Sequence, residues 1–186
     1  MEKKTNKLQI GVMGSCSDLR YSKQIEKMAE EVGYWIAQKN AILFFGAEKD
    51  FESLSSAACR GVRKASGLSV GVTYGKGKNV IEKNADVLIA SGLERGGGRE
   101  LVLVLSCDAI ITISGGSGTL TEMAIAYQAN IPIVALQNTG GWSDRLAGTY
   151  LDLRKRIKIE IATSPKEAVE KAQKLAKKNL HHTKSL

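Results

Sequence analysis

Six short apolar runs recur along the chain, each closed by glycine or small polar residues, and this pattern restricts the fold more than any other feature. They are LQIGVMG (8–14), AILFF (41–45), LSVGVTY (68–74), DVLIAS (86–91), DAIITIS (108–114) and PIVALQ (132–137). Strands this continuously apolar need cover on both faces, which a parallel sheet with crossover helices provides. A seventh run, RIKIEIA (156–162), alternates polar and apolar residues and is placed at a sheet edge.

The stretches between the runs read as helices. Ile25, Met28, Ala29, Val32, Trp35 and Ile36 repeat at intervals of three and four, with Asp18 or Ser22 as the cap. Residues 51–66 read as a helix of small residues suited to pack close to a sheet, and residues 119–129 as another helix. Ser164-Pro165-Lys166-Glu167 opens the last helix with a serine cap, a proline at its first position and a glutamate at its third. Segment 100–107, ELVLVLSC, has strand composition. A parallel sheet nevertheless requires residues 99–106 to be a crossover helix, and that reading is adopted. The expected class is α/β: a doubly wound, largely parallel sheet of about seven strands with helices on both faces.

At 186 residues one domain spanning 1–186 is expected, with residues 181–186 as a loose tail carrying solvated His181 and His182. No apolar run approaches the roughly 20 residues of a membrane span, and no signal peptide is read. Cys16, Cys59 and Cys107 form no CxxC pair, which fits a reducing cytoplasm and no zinc site. Cys59 and Cys107 are read as core thiols and Cys16 as unreactive; Trp35 is assigned to the core. The net charge of +8 is uneven. Residues 150–186 hold ten Lys/Arg and four Asp/Glu, a net of +6, while the rest hold 17 and 15. That distribution indicates a solvated basic helix face, so nucleic acid is not an expected partner.

Ligands of such sheets sit beyond the carboxyl ends of the strands. Four glycine-rich turns fall there: GSCSD (14–18), GLERGGGRE (92–100), SGGSGT (114–119) and NTGGWSD (138–144). The third is the best anion site, since bare backbone followed by a helix N-terminus offers free N–H groups. A phosphate is expected at Gly116–Thr119. The sequence is neither a Walker loop nor the usual dinucleotide fingerprint. Glu122 has two readings. Thr119-Leu120-Thr121-Glu122 spells a capping box, and the same carboxylate is placed to act on a ligand. Trp142 either stacks on a base or covers a neighbouring element.

GGSGTLTE resembles the GGxGTxxE motif of the LOG-like proteins, nucleoside 5′-monophosphate phosphoribohydrolases long labelled possible lysine decarboxylases. Arg99, 23 residues ahead of Glu122, stands where the family carries an arginine. SCDAIITIS, GVMGSCSD and NTGGWSDRLAG resemble further family segments, and the likeness covers about residues 8–170. Its closest flavour is the branch containing molybdenum-cofactor carrier proteins. The resemblance implies a Rossmann-like fold and a homodimer or higher homo-oligomer. It implies a phosphate cradle of Gly115, Gly116, Ser117, Gly118 and Thr119, with Gly14 and Ser15 bordering the nucleotide. Arg99 and Glu122 become a catalytic pair cleaving an N-glycosidic bond to free base and ribose 5-phosphate. No cofactor is required; a bound nucleotide or molybdenum cofactor is a possible ligand. Decarboxylase chemistry is set aside, because the glycine loop offers no Schiff-base lysine.

The chain departs from the family at Ser114 (usually proline), Glu100 (usually Lys or Asn) and Leu105 (near a usual arginine). It also has GAEKDFESL (46–54) where the family has a glycine-rich loop. Two functions therefore stay open: a phosphoribohydrolase, and a non-catalytic carrier or sensor of a nucleotide or pterin phosphate.

Overall fold

A computed structural model describes residues 7–96 and 98–183, with side chains as far as Leu180. The strands are β1 (Gln9–Gly14), β2 (Ile42–Gly46), β3 (Leu68–Thr73), β4 (Val87–Ala90), β5 (Ala109–Ile113), β6 (Ile133–Leu136) and β7 (Glu160–Ala162). The α-helices are α1 (Lys23–Gln38), α2 (Leu54–Lys64), α3 (Arg99–Leu105), α4 (Ser117–Gln128), α5 (Gly141–Leu146) and α6 (Pro165–Thr183). A 3-10 turn, Ser17–Leu19, follows β1.

Among the described residues the strands form one sheet in the order β4-β3-β2-β1-β5-β6-β7, with every neighbouring pair parallel. The chain winds outward from β1 to β4, then returns through α3 to β5 on the other side of β1. The order therefore reverses between β1 and β5, where a crevice opens at the carboxyl ends. The Rossmann-like α/β expectation holds, and the alternating run is an edge strand, though only Glu160–Ala162 pairs.

Each face has its own core. Ile10, Val12, Leu43, Phe45, Ile111 and Val134 pack under α1, α2 and α6. Met13, Phe44, Val72, Ile110, Ile133 and Ala135 pack under α3 and α4. The small residues of α2 let it approach α1 closely: a Cβ on Gly33 would lie 1.9 Å from the Ala58 carbonyl oxygen, and one on Gly61 1.8 Å from that of Glu30. In α6, Pro165, Ala168, Val169, Ala172 and Ala176 are buried while Lys166, Lys174, Lys177 and Lys178 are exposed, so these lysines lie on a solvent face.

The segment of strand composition is helical. Arg99, Glu100, Leu103 and Val104 face inward at helical spacing, leaving Leu101 and Leu105 outside. Tertiary demand for a crossover overrides local propensity here. Ser22 caps α1, accepting from the Ile25 N–H at 3.3 Å. The helix expected from 119 starts two residues earlier, at Ser117, with Gly116 as its N-cap. Thr119 is thus inside the first turn and the T-x-x-E capping box does not form.

Candidate functional site

β1 and β5 end side by side, and their loops are tied together. Ser15 Oγ accepts from the Gly115 N–H at 2.8 Å and donates to Ser114 Oγ at 3.0 Å. Gly14 leaves no room for a side chain, since a Cβ would meet Leu54 Cβ at 2.8 Å and the Ile113 carbonyl at 2.9 Å. Ser114 has φ of 56°, a conformation proline cannot adopt, so its presence in place of the family's proline goes with the local backbone.

The late glycine turn supports the same loop from behind. Thr139 Oγ1 accepts from the Ser114 N–H at 2.8 Å, and the Trp142 and Ser143 N–H groups donate to Gly115 and Ser114 carbonyls. Gly141, at φ of 60°, fits because its missing Cβ would fall 2.5 Å from the Gly115 oxygen. Trp142 packs against the second core with the Arg145 guanidinium over its ring, so it covers a neighbour and is not in the cavity.

Held this way, the N-terminus of α4 faces a cavity of about 230 Å³. Leu120 is the first α4 residue whose N–H is bonded, to the Gly116 oxygen. The amides of Ser117, Gly118 and Thr119 have no partner among the described residues, as expected of a helix start. Gly118 has open space where a side chain would be. Gly14, Ser15, Gly116, Ser117, Gly118, Thr119, Arg99 and Glu122 all line the cavity. Gly115 does not; it shapes the turn beneath.

Arg99 and Glu122 share the cavity without pairing. Arg99, 5% exposed, donates from Nη2 to Glu48 Oε1 at 2.9 Å and lies 3.3 Å from Glu100 Oε1. Its Nε has no hydrogen-bond partner among the described residues. Gly46 makes room for it, because a Cβ there would come within 2.1 Å of Nη1. Burial pulls the guanidinium pKa down, but Glu48, Glu122 and Glu100 outweigh it and hold the group above its ordinary value. Glu122, 6% exposed, makes no side-chain hydrogen bond among the described residues. Burial, against the pull of Arg99 and reinforced by Glu100 and Glu48, pushes its pKa up to about 8. At neutral pH the carboxyl is therefore mostly protonated and able to donate.

Glu48 and Arg95 also line the cavity. Arg95 donates to Glu48 and, at 3.2 Å, to Tyr74 Oη. Sequence reasoning marked the 46–54 loop that carries Glu48 as a departure from the family but did not single out Arg95. The signal was its place in a glycine-rich turn facing an acidic loop. Cys16 lines the cavity as well, and burial with Glu48 raises its thiol to about 11, which keeps it protonated. Cys59 and Cys107 are buried free thiols.

The SLOG cluster4 family model matches residues 7–169. An uncharacterized protein of Archaeoglobus fulgidus is 32% identical over 132 residues, 70% of this chain and 80% of its own. The molybdenum cofactor binding protein of Rippkaea orientalis superposes with a TM-score of 0.77 at 28% identity, over 92% of this chain and 98% of its own. The molybdenum cofactor carrier protein of Chlamydomonas reinhardtii gives 0.72 at 26%, over 91% and 98%. The chain belongs to the SLOG cluster4 family, and the LOG-like resemblance read in its motifs holds.

Proposed function

We propose that the cavity binds the monophosphate ester of a nitrogen heterocycle, a nucleotide or a pterin, with its phosphate on the Ser117, Gly118 and Thr119 amides. The unpartnered α4 N-terminus at the sheet's switch point carries this reading. Molybdenum cofactor is a candidate cargo, supported by the relatives named above. In the carrier reading the protein holds its ligand and releases it unchanged. Arg99, already occupied by Glu48 and Glu100, favours that role over catalysis.

A second reading has its own observation. Glu122 is an unpaired, protonated carboxyl in the same cavity as the phosphate site. It is suited to donate a proton to a departing base, or, once ionised, to stabilise positive charge developing on a ribose. With Arg99 it would make the protein a nucleoside 5′-monophosphate phosphoribohydrolase. Incubation with AMP, GMP and CMP, beside Glu122→Gln, tests both. Free base and ribose 5-phosphate lost in the variant would establish hydrolysis. Binding without turnover in either protein would establish the carrier. Failure to bind any phosphate ester would remove both.

We further propose a homodimer. Val87 and Ile89 of β4 face the side opposite Leu88, which packs into the first core. They are exposed together with Leu101 and Leu105 of α3. A second copy covering these residues would bury an apolar face beside the cavity wall. No helix among the described residues is long and apolar enough to cross a membrane. The free cysteines support a cytoplasmic place.

A further inference from the structure

The acidic loop after β2 is the part of the cavity that the family resemblance leaves unexplained, and it is built firmly. The Ala47 N–H donates to the Val72 oxygen and the Ile81 N–H to the Glu48 oxygen, so the backbone under Glu48 is pinned on both sides. The Glu48 side chain bridges two guanidiniums, Oε1 to Arg99 and Oε2 to Arg95. Glu100 adds a second carboxylate to Arg99 and accepts the Gly96 N–H at 3.0 Å, fixing the opposite wall.

Charge complementarity follows from these pairings. Among the described residues the cavity is lined by Arg95 and Arg99 and by Asp18, Glu48, Glu100 and Glu122. Both arginines are paired with carboxylates, and the Arg99 Nε, without a hydrogen-bond partner among the described residues, is buried. Glu122, more than nine-tenths buried and without a hydrogen bond, is a polar group in this wall left for a ligand to meet. The open donors for an anion among the described lining residues are the α4 N-terminal amides. A ligand whose phosphate sits there turns the rest of its body toward Glu48 and Glu100, carboxylates that accept hydrogen bonds and repel negative charge.

We infer that Glu48 is a specificity-determining residue that restricts the cavity to ligands with a single phosphate. Their remaining polar edge presents N–H or O–H donors, and a second phosphate is rejected by the fixed carboxylate. The inference rests on the phosphate reading above.

Isothermal titration of the full chain with AMP and ADP tests it, beside Glu48→Gln, which keeps the shape and removes the charge. The wild-type protein should bind AMP on the order of tenfold or more tighter than ADP, a preference of the size that repulsive specificity elements produce. In the variant ADP binding should strengthen more than AMP binding, bringing the ratio to within about threefold. Equal wild-type affinities for AMP and ADP would overturn the inference, even if the variant does not fold. An unchanged ratio in a folded variant would overturn it as well. Both results leave the phosphate reading standing. Binding of neither nucleotide by the wild-type protein would overturn the inference, and failure to bind inorganic phosphate as well would sink the phosphate reading with it.

Discussion

Glu122 decides more than any other single side chain, and its behaviour is set by burial. Its folded pKa of about 8 lies above that of an exposed glutamate. The folded state therefore binds the proton more tightly than the unfolded chain does. Stability from this group is fully present below about pH 4.5, and it is lost as pH rises through 8. Glu122→Gln removes the titration while keeping the size. Thermal melts should show the variant gaining several degrees over wild type at pH 9 and little at pH 5. Equal melting temperatures at pH 9 would mean the carboxyl is not held protonated. The sequence left this residue ambiguous because a capping box and a ligand-facing glutamate are spelled alike. The difference lies in where α4 starts, and Gly116 sets that start without any capping side chain. Arg99 was legible only through the family resemblance, which implies an arginine ahead of the glycine motif. Its capture by Glu48 was not, because residues 48 and 99 meet only once β2 and the crossover helix are in place.

Two element-scale contacts hold the site's frame. The first is the crossing of α1 and α2, where Gly33 and Gly61 let each backbone touch the other helix. Ala at either position would press a methyl group onto a carbonyl that cannot rotate away, and only separation of the helices relieves that. Gly61→Ala should lower stability by about 3 kcal/mol in urea unfolding, at the upper end of overpacking penalties. A loss below about 0.5 kcal/mol would show that the helices part at little expense. In the sequence the run of small residues reads as packing against a sheet, and the close approach to α1 is not legible there. The second is Ser15, which joins the loops after β1 and β5. Ser15→Ala leaves the Gly115 N–H without its acceptor and should destabilise by roughly 1–3 kcal/mol. It should also weaken inorganic phosphate binding, measured by calorimetry, because the α4 N-terminus loses a support. Unaltered phosphate affinity in a folded variant would place that support elsewhere, in the turn at Gly141. The glycine clusters marked strand ends in the sequence. Which of them faces the ligand and which buttresses it depends on strand order, which local residue patterns do not encode.

At the scale of the whole molecule, the doubly wound sheet puts its reversal at β1 and β5 and so locates the cavity. The same winding leaves β4 at an edge. The seven-residue crossover helix packs over β2 and β3, and Val87 and Ile89 on β4 stay exposed, as do Leu101 and Leu105 on α3. Four large exposed aliphatic side chains on these two elements suit an interface better than a solvated surface. Their alternation on β4 and i, i+4 spacing on α3 were present in the sequence. The sequence could not show that β4 is an edge strand. Leu105, 58% exposed, does not line the cavity, so Leu105→Glu tests the interface at a position outside the site. Sedimentation velocity should give the wild-type chain as a dimer and the variant as a folded monomer, because a desolvated glutamate on each copy opposes association. Arg99, Glu100 and Leu101 follow one another at the start of α3, so the proposed dimer face and the cavity wall share one helix. If that face closes in the dimer, the monomeric variant should also bind phosphate ester more weakly, since its α3 is less restrained. A wild-type monomer, or a variant that remains dimeric, would remove this face from the assembly and leave α3 anchored only by its own chain.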